Sequence, residues 1–156
     1  MHDLTRRLVA LNAAYARAID EGELERWPDF FAEVCLYKLT TADNHARGLE
    51  AGLMYADSRG MLADRISALR EANIYERQRY RHLIGLPLVR SVDATSAEVE
   101  TPFLVVRIMR DGRMDLFASG RYLDQVAIGT DDTLHFRERI ALCDGGRFDT
   151  LVALPI

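Results

Sequence analysis

Four histidines, His2, His45, His82 and His135, and two cysteines, Cys35 and Cys143, are the side chains of this sequence best suited to holding a metal. An iron–sulfur cluster of the mixed Cys/His type needs two cysteines and two histidines in paired local motifs, but Cys35 leads into Leu36-Tyr37 and Cys143 into Asp144-Gly145. A mononuclear iron site wants two histidines and a carboxylate, and none of the four histidines lies near another at helical spacing. No glycine-rich phosphate loop and no Gly-x-Ser-x-Gly elbow is present. Acid–base chemistry in a pocket is left, with Tyr55, Asp64, Tyr80 and His82 as the groups that could converge as acid, base and orienting residue. Each also has a structural reading: Asp64 beside Arg65 as a solvated or paired charge, Tyr80 as an amphipathic sheet residue, His82 as a satisfied strand histidine.

Three of those four residues fall in the run Asp64 to His82, DRISALREANIYERQRYRH, the most unusual stretch of the chain. Arg65, Arg70, Glu71, Tyr75, Glu76, Arg77, Arg79, Arg81 and His82 mix signs and aromatic rings in the manner of protein interfaces, which are enriched in arginine and tyrosine. A solvated charged surface is the competing reading. Lys38 is the only lysine. Arginine forms bidentate carboxylate pairs and is less strongly hydrated than an ammonium, which suits interfacial ion pairs, although a GC-rich genome produces the same excess.

Composition narrows the class. The 156 residues are 49% hydrophobic, enough for one domain with a real core. A net charge of −4, without long blocks of one sign, argues against a nucleic-acid surface. No apolar run has the roughly 18 residues a membrane span needs, and Arg6, Arg7 and Arg17 interrupt what would be a signal peptide's apolar core. The expectation is a cytoplasmic protein with reduced, buried thiols.

The elements that must position these groups follow from periodicity and turn chemistry. Leu4, Leu8, Leu11, Tyr15 and Ile19 mark one helix face, stopped by Gly22, and Glu23 to Phe31 fits a short second helix. Val34 to Thr40 reads as a strand, Thr41 to Gly48 as a polar loop, and Leu49 to Tyr55 as extended. Asp57 or Ser58 caps a third helix carrying Met61, Leu62, Ile66 and Leu69. Strands then follow at Tyr80 to Val92, Ala97 to Arg110, Met114 to Ile128, Leu134 to Asp144 and Leu151 to Leu154, with hairpin turns at Asp111-Gly112 and Gly129 to Asp132. Pro102 predicts a bulge or an edge position, and Gly85 and Gly120 predict bends. Helices first and long antiparallel strands after predict an α+β domain spanning 1–156, a curved sheet wrapped over helices on one face.

Several longer stretches carry a resemblance: NAAYARAID (Asn12 to Asp20), Trp27 to Phe31 leading to Cys35 and Tyr37, DNHARGLEAG (Asp43 to Gly52), YADSRGMLADRISALREANIYERQRYRHLIGLP (Tyr55 to Pro87), then TPFLVVRIM, FASGRYLD, ERIALCD and DTLVALP. In this order the sequence resembles the small (beta) subunits of aromatic-ring-hydroxylating dioxygenases, nearest the terephthalate type. The resemblance implies a cone like that of nuclear transport factor two and scytalone dehydratase, with a mixed, mainly antiparallel sheet. It implies no catalytic, cofactor or metal residue in this chain. The Rieske [2Fe-2S] cluster and the mononuclear Fe(II) belong to a large (alpha) partner subunit, in an assembly of three large and three small subunits fed by a reductase. The product is a cis-dihydrodiol of an aromatic ring. Many such small subunits carry a longer N-terminal extension, whereas the first helix here starts near Leu4, so the resemblance does not carry over contacts made through such an arm. Two other readings compete: a stand-alone dehydratase or isomerase of the same fold using Asp64, His82 or a tyrosine, and a non-catalytic small-molecule binding domain.

Overall fold

The computed structural model describes residues 2–48, 53–71, 78–145 and 154–156. Helix α1 (His2–Asp20) buries Leu8, Asn12, Tyr15 and Ile19 along one face. It ends where Glu21 and Gly22 turn their N–H groups back to the carbonyls of Arg17 and Ile19, with Gly22 at φ +77°. That left-handed geometry is one glycine adopts without the clash a Cβ would bring. The next segment is a 3-10 turn, Leu24–Phe30, with Pro28 inside it. Phe31, expected at the end of this helix, is instead extended (φ −104°, ψ 150°) and opens strand β1 (Phe31–Thr41), because it pairs with Phe136 in the sheet.

The polar stretch after β1 holds one short helix, α2 (Ala42–Ala46), capped by the Thr41 hydroxyl, which accepts from the Asn44 N–H. Strand β2 (Met54–Ala56) pairs antiparallel with β1, and Leu49 to Gly52 of the expected extended run lie outside the described residues. Ser58 caps α3 (Arg59–Glu71) by accepting from the Met61 N–H. The strands β3 (Gln78–Ile84), β4 (Leu88–Val92), β5 (Ser96–Met109), β6 (Met114–Ile128) and β7 (Leu134–Cys143) follow. Of the expected last strand, Leu151 to Leu154, only Leu154 is described.

The sheet order is β2-β1-β7-β6-β5-β3, with β4 also on β5. All pairings are antiparallel except β1 with β7, so the meander of the later strands is closed on one side by the first strand running parallel to the last. The expected strand Tyr80 to Val92 is broken at Gly85–Pro87 into β3 and β4. Pro87 has no N–H to give the ladder, and the Gly85 N–H donates to the Pro102 carbonyl at 2.9 Å. Pro102 sits on β5 between two neighbours rather than at an edge. Its missing N–H falls on the side of this break, where no ladder bond is lost.

Curvature comes from one-residue register slips between Val105 and Val106 on the β5–β6 pair and between Gln125 and Val126 on the β6–β7 pair. Such bulges bend the strand and increase its twist. Gly120 lets β6 approach β7: a Cβ there would lie 2.0 Å from the Leu142 carbonyl oxygen. Helices α1 and α3 and the 3-10 turn pack in the concavity, around a core that includes Trp27, Phe31, Tyr37, Tyr122 and Phe136.

Candidate subunit interface and the filled interior of the cone

Strand β3 carries the described end of the charged run on two faces. Alternation sends Arg79, Arg81 and Leu83 to the convex side and Tyr80 and His82 into the cone. Among the interface candidates, His82 therefore stands apart: its side chain is 0% exposed, and its Nδ1 lies 2.6 Å from Asp20 at the end of α1. The His82 main-chain N–H donates to the other Asp20 oxygen. Arg65 is half-buried and Glu71 exposed on α3, while Arg70 donates to Glu25 and to the Gly22 carbonyl, tying α3 to the loop after α1. Tyr75, Glu76 and Arg77 lie outside the described residues.

The convex face beyond β3 holds what the sequence reading missed. Register places Leu83 beside Leu104 and then Ser119, Arg81 beside Val106 and then Leu116, and Arg79 beside Ile108 and then Met114. The result is a three-strand apolar field with two arginines on its edge strand. Leu83 is 58% exposed, Leu104 40%, Leu116 65% and Met114 69%. Contiguous apolar patches of this kind on a soluble chain mark surfaces that a partner covers. The signal was present in Phe103-Leu104-Val105-Val106, apolar on both faces of one strand, as strands covered on both sides are.

The acid–base set does not assemble. Tyr55 is on edge strand β2 at the far side of the sheet and Asp64 is exposed on α3, so only Tyr80 and His82 meet, with ring centroids 6.0 Å apart. Tyr80 stacks on Phe117, and burial pushes its hydroxyl above the usual phenol range.

The interior is filled instead by a network the sequence did not disclose. Arg139 on β7 donates to both Asp124 oxygens, at 2.8 and 2.7 Å, and to Asn12 on α1. Its guanidinium lies over the rings of Tyr15, Tyr122 and Phe136 at 4.4, 3.8 and 3.8 Å. Burial alone would pull the guanidinium toward neutrality, but Asp124 against it holds it protonated. Deeper in the concavity, Ile156 is fully buried. Its main-chain oxygen accepts from Tyr15 and Tyr37, and its N–H donates to Tyr37. Burial raises the hydroxyl pKa of Tyr15, Tyr37 and Tyr122.

As a donor set for iron the described residues do not fit. Cys35 and Cys143 are buried and free, and among the described residues no three His, Cys, Asp or Glu side chains converge as metal ligands.

A curved, unclosed sheet wrapped over N-terminal helices places the chain in the nuclear-transport-factor-2-like class of α+β cones. Naphthalene 1,2-dioxygenase with indole bound in its active site shares this fold, with a TM-score of 0.75 at 12% identity over 100% of this chain and 87% of that one. A beta subunit assigned to an aromatic-ring-hydroxylating dioxygenase of Novosphingobium aromaticivorans superposes with a TM-score of 0.90 at 35% identity, covering 99% and 98% of the two chains. The family model described as ring hydroxylating beta subunit matches residues 14–146. Terephthalate 1,2-dioxygenase terminal oxygenase component subunit beta 1 of Comamonas is 55% identical over 96% of this chain and 97% of its own length. The anthranilate 1,2-dioxygenase small subunit of Burkholderia cepacia is 35% identical over 94% and 90%. The chain belongs to the ring-hydroxylating dioxygenase beta-subunit family and is a structural, non-catalytic member of an oxygenase complex.

Proposed function

We propose that the complex this chain builds dihydroxylates an aromatic carboxylate, with terephthalate as the ring. The observation that carries this is the 55% identity to the Comamonas terephthalate subunits over nearly the full length of both chains, against 35% to the anthranilate subunit. The large subunit supplies the Rieske [2Fe-2S] cluster and the mononuclear Fe(II). A reductase passes it electrons from NAD(P)H, and three large and three small subunits assemble in the cytoplasm. The convex field of Leu83, Leu104, Leu116 and Met114, edged by Arg79 and Arg81, is the surface of this chain best suited to a neighbouring subunit. An obligate contact of that type buries on the order of 2,000 Å² or more in all.

Co-expression with the large subunit, native mass measurement and turnover assays test the reading. A hexamer of three and three that converts terephthalate to its cis-dihydrodiol, with no iron and no turnover in the isolated small chain, is the expected result. A complex that turns over anthranilate but not terephthalate sinks the substrate, and an isolated chain that oxygenates a ring sinks the division of labour.

A further inference from the structure

Ion pairing divides the arginines of this chain by place. Over most of the molecule they are matched internally: Arg59 with Asp29 and Glu33, Arg70 with Glu25, Arg90 and Arg121 with Glu100, Arg139 with Asp124. At one end of the sheet they are not. Arg79, Arg110 and Arg113 are exposed and have no carboxylate partner among the described residues. The two acidic groups nearest in the chain are engaged otherwise, Asp115 with Arg107 at 3.0 Å and Asp111 with the Arg113 main-chain N–H. Register brings the three arginines together. Strands β3 and β5 pair Arg79 with Ile108 and Gln78 with Met109, and the β5–β6 turn returns Arg113 to Met109, whose N–H donates to the Arg113 carbonyl. A surface groove of about 420 Å³ lies there, lined by Gln78, Arg79, Ile108, Met109, Arg110 and Gly112. It adjoins the convex apolar field, because Ile108 stands beside Met114.

We propose that this groove docks an acidic side chain of the large subunit, an aspartate or glutamate whose carboxylate is taken by Arg79 and Arg110 and whose stem lies on Ile108. Guanidinium groups match a carboxylate with paired hydrogen bonds, and Arg113 on the adjoining turn adds to the positive field. A second copy of this chain is the poorer occupant, because more of its described carboxylates than not are already paired with arginine or histidine. This reading of the groove rests on the chain's place as an oxygenase subunit and adds the chemistry of the contact. Charges at the rim of an interface act chiefly on the association rate and on its salt dependence.

Binding kinetics of the full chain with its large subunit, at about 0.1 M and about 1 M salt, compare the unaltered protein with the double variant Arg79→Glu, Arg110→Glu. Over that range the screening length falls from about 10 Å to about 3 Å. The expected result is an affinity loss of about tenfold at the lower salt, mostly in the association rate, that shrinks below about threefold at the higher. The melting temperature and native mass of the isolated chain should not move, since both residues are exposed. Unchanged affinity at low salt would overturn the proposal, as would a loss that is equal at both salt concentrations. Impaired self-association of the isolated variant, with binding to the large subunit intact, would assign the groove to a second copy and overturn it too. The neutral pair Arg79→Gln, Arg110→Gln should show a smaller loss with the same salt dependence, and it decides by the same criteria if the reversed variant does not fold. A complex lost to Leu104→Glu but kept by both arginine pairs would leave the subunit contact on the apolar field and remove the groove from it. If the unaltered chain binds no large subunit, the subunit reading falls and the groove's role with it.

Discussion

Arg139 and Asp124 are the residues whose removal should be felt most. A bidentate ion pair with both side chains out of water is held by mutual attraction against desolvation. Breaking such a pair by removing one partner leaves a buried charge and typically costs about 3–5 kcal/mol. Asp124→Asn or Arg139→Met should lower the urea midpoint accordingly, and the double variant Asp124→Leu with Arg139→Met should recover part of the loss. An additive double variant would show that the two groups do not act as a pair. His82 is a milder case. His82→Ala leaves the buried Asp20 carboxylate with the main-chain N–H and a distant Arg81, so about 1–3 kcal/mol of stability is expected to go. Turnover of the assembled oxygenase should persist in proportion to folded protein; a folded His82→Ala complex without turnover would point to a catalytic histidine instead.

At the scale of elements, the strands set the shape and two glycines permit it. Gly120→Ala would place a methyl group 2.0 Å from the Leu142 oxygen, which forces β6 from β7 in the middle of the sheet. Overpacking of this kind typically costs about 1–3 kcal/mol. The same change at Gly112, in the β5–β6 turn at φ +86° with open space around it, costs only the strain of a left-handed residue, about 1 kcal/mol. Chemical denaturation of the two variants should preserve that order. A smaller loss at Gly120 would mean that the strands separate there without resistance.

For the whole molecule, surface and pH behaviour follow from what is covered. Leu104→Glu on the convex face should leave the melting of the isolated chain nearly unchanged, because Leu104 is 40% exposed, but should abolish co-purification with the other subunits. Unaltered assembly would remove this face from the interface. Alkaline pH tests the interior. Burial pushes the Cys143 thiol up to about 12 and raises the buried tyrosines as well. Such groups ionise first in the unfolded chain, so their contribution is complete below the ordinary thiol value near 9 and is lost as pH rises toward 12. The unfolding free energy from urea titration should be flat through neutrality and fall above pH about 9 for the thiol and above about 10 for the tyrosines, by about 1.4 kcal/mol per pH unit per group. Cys143→Ala should delay the onset.

Local patterning by itself determined the elements. The four-and-three spacing of Leu4 to Ile19 specifies α1, the Asp111-Gly112 turn specifies the β5–β6 hairpin, and the stretches from Asn12 to Pro87 and beyond specify the family. These signals are legible because each rests on neighbours in the chain. Pairings over long separations are not written that way. That β1 runs parallel to β7, that Arg139 meets Asp124 at 15 and Asn12 at 127 residues' distance, that Asp20 claims His82, and that Ile156 enters the ring of Tyr15 and Tyr37 depend on how the sheet curves. The charged run from Asp64 to His82 shows the division most plainly. Its composition suggested a contact surface, but only the alternation of β3 against β5 turned Arg79, Arg81 and Leu83 outward onto an apolar field and His82 inward onto a carboxylate.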